Sequence, residues 1–92
     1  MNTVEKIKRD RIRIALFAYA YEFEFDSLIS DTEYDKLSLA LDYTSSTDNE
    51  ELDDFFLNNY NEHTGMWIRK HPDVFSGKLK ILYEKYKNLT ST

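Results

Sequence analysis

Apolar residues recur along this chain at the spacing of a helix face, and four segments carry the pattern. In the first, opened by an Asn2 or Thr3 cap, Val4, Ile7, Ile14, Ala18, Tyr21 and Phe25 share one face of a helical wheel. From Ile14 onward the apolar character spreads nearly all round. Such a helix is expected to be central, or to bury its second face against another copy of the chain. Both glycines, Gly65 and Gly77, and the single proline, Pro72, lie in the second half, so little in the first sixty residues opposes helix formation.

The second helix has the sharpest start. Ser30 with Glu33 forms a capping box, and Ile29 with Tyr34 occupies the hydrophobic-staple positions. The helix is expected to run to about Tyr43, with Tyr34, Leu37 and Leu41 inward and Asp31, Asp35 and Asp42 on a separate stripe about 40° wide. A polar linker, Thr44 to Asn49, follows, and Thr47 with Glu50 offers another capping box. In the third helix Leu52, Phe55, Phe56 and Tyr60 point one way, Glu50, Glu51 and Asp54 the other, and Asp53 lies at the border. His63, Thr64 and Gly65 suggest a turn, Met66 to Lys70 is ambiguous, and His71-Pro72 is a possible start of a short helix. A last helix, roughly Lys78 to Leu89, sets Leu79, Leu82, Tyr86 and Leu89 on one face. Residues 1–92 are therefore expected to form a single small all-α domain of about four helices.

Charge changes this picture. Between Glu22 and Asp54 stand twelve carboxylates and one cation, Lys36, while the flanks on either side are each +3, so the overall charge of −5 conceals a strongly polar chain. First-turn carboxylates complement a helix dipole, which accounts for Asp31 and for part of the Asp48 to Glu51 cluster only. The basic residues from Lys6 to Arg13 are spread around their helix and interrupted by Asp10, a pattern of surface salt bridging. Ninety-two residues are near the lower end of what buries a self-sufficient core, so a homodimer is a natural expectation. The absence of cysteine excludes disulfides and thiolate metal sites and fits a reducing cytoplasm, and the apolar run Ile14 to Tyr21 is too short to span a bilayer.

Catalytic patterns are lacking. His63 and His71 lie eight apart around a proline, unlike paired-histidine metal motifs, and the chain has no glycine-rich phosphate loop, nucleophile elbow or cysteine nucleophile. Asp31 with Asp35 is a conceivable divalent-cation pair, but the acidic loop with its central glycine is missing. The expectation is a protein that is not an enzyme and needs no metal or cofactor.

Two resemblances add to this. The stretch from Ile29 to Leu37, preceded by Tyr19 and Tyr21, resembles the N-terminal helical domain of NAD-dependent DNA ligases, which grips the nicotinamide mononucleotide half of the cofactor. Carried over, Tyr21, Asp31, Tyr34 and Asp35 match nucleotide-contacting positions, whereas Glu22 stands where the ligases have a histidine and the Lys-x-Asp-Gly adenylation motif is absent. A carboxylate at that position repels a phosphate-bearing ligand. Over its whole length, in size, acidity and lack of cysteine, the chain resembles the small anti-restriction nuclease proteins of T4-type phages. These are acidic dimeric DNA mimics directed at a host nuclease that cuts modified-cytosine DNA.

The leading expectation is thus a DNA mimic acting in the host cytoplasm. Glu22, Glu24, Asp26, Asp31, Asp35, Asp42, Asp48, Glu50, Glu51, Asp53 and Asp54 would stand in for phosphates in the cationic groove of a restriction nuclease or a nucleoid-associated protein. It would bind neither nucleic acid nor membrane directly. The alternative is a nucleotide-binding module using Tyr21, Asp31, Tyr34 and Asp35. A third is a protein-interaction domain anchored by Met66, Trp67 and Ile68.

Overall fold

The computed structural model describes residues 3–70 and 77–90, and the segment expected to begin at His71-Pro72 lies outside them. Four α-helices, α1 (Thr3–Phe23), α2 (Asp31–Ala40), α3 (Glu50–Asn59) and α4 (Lys78–Thr90), are joined by loops and one 3-10 turn (Met66–Lys70). No strand occurs among the described residues, and the fold is all-α.

Helix α1 is the axis against which α2, α4 and the 3-10 turn all pack. All seven residues from Ile14 to Ala20 are buried. The apolar girdle is therefore covered within one chain, the first of the two outcomes expected for it. Its proposed face is corrected at the far end, where Tyr21 is 56% and Phe25 91% exposed. The helix stops at Phe23 because Phe25 adopts a left-handed backbone (φ 53°), and the Glu24 and Asp26 amides both turn back to donate to the Ala20 carbonyl at 3.1 and 3.0 Å.

Helix α2 starts as expected, the Glu33 amide donating to Ser30 Oγ at 3.1 Å. It ends earlier, at Ala40, because Leu41 is extended. Asp42 therefore leaves the helix and the three-aspartate stripe is broken. Leu37 is partly exposed, and the side chain that α2 buries most completely is Ser38. Its hydroxyl donates to the Glu62 carbonyl at 2.8 Å, while the Tyr60 hydroxyl lies 2.6 Å from Ser38 Oγ and 2.9 Å from its carbonyl. This polar knot ties the end of α2 to the end of α3.

The N-cap of α3 is Asn49, whose Oδ1 accepts from the Leu52 amide at 3.0 Å, and not Thr47. Thr47 is diverted: its hydroxyl donates to Asp53 Oδ1 at 2.6 Å and accepts from the Asn49 amide. Leu52 and Phe56 are buried as expected, and Phe55, Phe56, Tyr60 and Trp67 stack with centroids 5.3 to 5.8 Å apart. Trp67 and Ile68 belong to this core, leaving only Met66 half exposed, so an outward anchor built on all three is ruled out. On α4, Leu79 is buried, Leu82 and Tyr86 are half-buried, and Leu89 is 80% exposed, off the expected face.

The largest departure is Arg11, expected at the surface and completely buried. Its guanidinium donates to the Asp42 carbonyl (2.9 Å), the Ser45 carbonyl (2.7 Å) and Asp53 Oδ1 (2.8 Å), and it lies 5.9 Å from the Phe56 ring centroid. One cation thus holds the α2–α3 loop and the first turns of α3 against α1. A buried guanidinium is tolerable only with its donors satisfied in this way.

Candidate functional site

The end of α1, the loop before α2 and the approach to the 3-10 turn leave a cleft of about 420 Å³ between them. That is the size of a small-molecule site. From α1 come Phe17, Ala18, Tyr21 and Glu22; from the start of α2 come Asp31, Tyr34 and Asp35; from the opposite wall come His63, Gly65, Met66 and Arg69. Tyr21 and Asp35 are exposed and Tyr34 is half-buried. Capping by Ser30 fixes the first turn of α2, and the four-residue interval places Asp31 and Asp35 one above the other on it.

Gly65 gives the cleft its shape, since a Cβ there would meet Tyr34 Oη at 3.1 Å and the Ala18 Cβ at 3.6 Å. The Tyr34 hydroxyl and the Trp67 indole N–H are both buried without a partner in full hydrogen-bonding geometry. Burial pushes the phenol's pKa well up, and the nearby indole donor pulls it partly back. Glu22, whose side chain is only 8% exposed, is paired with Arg69 Nε. The negative charge expected to repel phosphate is thus offset by a cation that lies 47 residues away in sequence.

The eleven candidate phosphate surrogates divide into two groups. Glu22 faces Arg69, Glu24 accepts from the Tyr19 hydroxyl (3.2 Å), and Asp26 accepts from Lys87 (2.9 Å) and Tyr83 (2.8 Å). Asp48 pairs with Lys8 at 2.7 Å, Asp53 with Arg11, and Asp42 caps its own loop through the Thr44 and Ser45 amides and the Ser45 hydroxyl. Hydrogen bonds hold four of these carboxyls below the usual range: from Lys87 then Tyr83 at Asp26, from Ser45 at Asp42, from Lys8 at Asp48, and from Thr47 then Arg11 at Asp53. Conversely, Asp26 raises the Tyr83 phenol to about 12. These six carboxylates have partners within the fold, and two of them, Asp42 and Asp48, are exposed as well.

Asp31, Asp35, Glu50, Glu51 and Asp54 are exposed and their carboxylates have no hydrogen-bond or ion-pair partner among the described residues. They form two patches: α3 begins beside Lys8 and Arg11, whereas α2 begins beside Ala18 and Glu22. About ten residues of α1, or about 15 Å, separate the two levels.

Sequence reasoning missed Arg69 and His63 as members of the cleft, because nothing local links them to Tyr21 or Tyr34. Among the described residues no cluster of three or more His, Asp or Glu is arranged to hold a metal ion, and no helix is long and apolar enough to cross a membrane. Comparison with protein-family models, curated proteins and solved structures finds no match to this chain.

Proposed function

We propose that this chain is a small nucleotide-binding module and that the cleft between α1, α2 and the 3-10 turn is its site. One observation carries this: Tyr21, Asp31, Tyr34 and Asp35, the positions carried over from the ligase resemblance, all line a single cleft of about 420 Å³. Tyr21 offers an aromatic surface for a base or nicotinamide ring, and the two aspartates offer acceptors for ribose hydroxyls. No adenylation lysine motif accompanies them, so the role is binding rather than nucleotidyl transfer. Calorimetric titration with nicotinamide mononucleotide and with NAD is the test. Saturable binding that weakens at least tenfold in Tyr21→Ala and in Asp35→Asn, both exposed positions, supports the site; no binding up to millimolar ligand overturns it.

A second reading, DNA mimicry of a restriction nuclease or nucleoid protein, is favoured by the exposed patches Asp31 with Asp35 and Glu50, Glu51 with Asp54. These five carboxylates are a sparse imitation of phosphates spaced about 3.4 Å along each strand, and a homodimer doubles them. Competition with duplex DNA for a host DNA-binding protein, weakening as salt rises, is the expected behaviour. Amide substitution of these five together abolishes it if the reading holds. Unchanged, salt-independent competition by that variant removes mimicry, and a monomer in sedimentation at tens of micromolar removes the dimer.

A further inference from the structure

We infer that Arg69 is the anion-binding group of the cleft, set in place by Glu22, and that the ligand is a monophosphate rather than a nucleoside or free base. This rests on the cleft reading above.

The geometry of the pair is the starting point. Arg69 donates to Glu22 through Nε, the inner nitrogen of the guanidinium, and its two terminal amino groups make no hydrogen bond or ion pair with another described residue. The side chain is 55% exposed and lines the cleft, whereas Glu22 is nearly covered. A covered carboxylate that engages only the inner nitrogen of an arginine holds the fork in place and leaves its terminal donors unengaged. Those donors are the ones that grip phosphate in a bidentate manner.

The charged lining, three carboxylates (Glu22, Asp31, Asp35) and one guanidinium, gives an anion no net long-range attraction. Glu22 cancels most of the attraction that Arg69 would exert at long range, so recognition depends on close hydrogen bonding to oxyanions. Asp31 and Asp35 are contributed by α2, while Arg69 and Glu22 are contributed by the 3-10 turn and α1. Arg69 is the permanently charged donor of this lining, which orients the ligand: phosphate toward Arg69, hydroxyl-bearing sugar toward the aspartates. The carboxylate at position 22, which looks like an obstacle to phosphate, is instead a positioning residue for the cation that receives it.

The test compares nicotinamide mononucleotide with nicotinamide riboside, which lacks only the phosphate, by calorimetry on the full chain. The wild type is expected to bind the mononucleotide at least tenfold more tightly than the riboside. In Arg69→Gln the preference falls to near unity while riboside affinity stays within about twofold, and in Glu22→Gln it falls partway. Circular dichroism establishes that each variant is folded. Equal binding of the two probes by the wild type, or an equal loss for both in Arg69→Gln, overturns the role of Arg69 and leaves the cleft standing. Binding of neither probe overturns both.

Discussion

Phe25 and Arg11 are the two residues whose environments run against their chemistry. Phe25 is 91% exposed at a backbone angle that suits glycine, so its side chain contributes little packing to offset the strain. Phe25→Gly is expected to raise stability by about 0.5–1 kcal/mol, after the added flexibility of the unfolded chain is subtracted, as a higher denaturant midpoint at unchanged slope. Arg11 is the reverse case: a charge with no exposure whose three anchors lie 31 to 42 residues away. Arg11→Met removes the cation and strands Asp53 and two carbonyls, at an expected cost of about 3–5 kcal/mol. That is a large fraction of the stability of a domain this size, so the variant should be largely unfolded by circular dichroism at 37 °C.

At the scale of elements, caps decide where helices begin and tertiary demands decide which candidate cap is used. Ser30 is used because no other group competes for it, whereas the Thr47 hydroxyl is taken by Asp53, leaving Asn49 to cap α3. Asn49→Ala is accordingly expected to cost about 1 kcal/mol, read from the shift in urea midpoint. The elements also differ in how they are joined. Helix α2 is tied down at its far end by the Ser38, Tyr60 and Glu62 knot, while its N-terminal half, which carries Asp31, Tyr34 and Asp35, borders the cleft. A ligand there acts on the end of α2 that this knot does not hold.

For the molecule as a whole, hydrogen bonds and ion pairs to carboxylates set the pH range of stability. Asp26, Asp42, Asp48 and Asp53 all have folded pKa values below the ordinary 3.8, so the unfolded chain binds more protons than the folded one as pH falls past that value. Their stabilisation is present above about pH 4 and is lost as pH falls through the folded values. At the other limit, Lys8 is raised above 10.5 by Asp48 and Glu5, and Tyr83 is raised to about 12, so their contributions are lost as pH climbs through those folded values. Thermal melts from pH 2 to 11 should therefore give a plateau between about 4 and 10 with a steep acid limb. Asp53→Asn should flatten that limb, and an unchanged limb would show that the Arg11 cluster does not set it.

Helix number and type, the Ser30 cap, the inward face of α3 and the central place of α1 were legible in the sequence. They depend on residues three or four positions apart, and on an apolar stretch that leaves a helix no face for water. The early stop of α2, the burial of Arg11, the diversion of Thr47 and the division of eleven carboxylates into six with partners in the fold and five without a described one were not legible. Each is set by a partner distant in sequence or by competition for a single hydrogen bond. The cleft lies between these cases. Tyr21, Asp31, Tyr34 and Asp35 stood out as residues, but only the packing of the 3-10 turn against α1 brought Arg69 to Glu22 and closed a wall opposite them. Local rules specify what a segment is, whereas desolvation and charge pairing across the folded chain determine which of its side chains remain free to act.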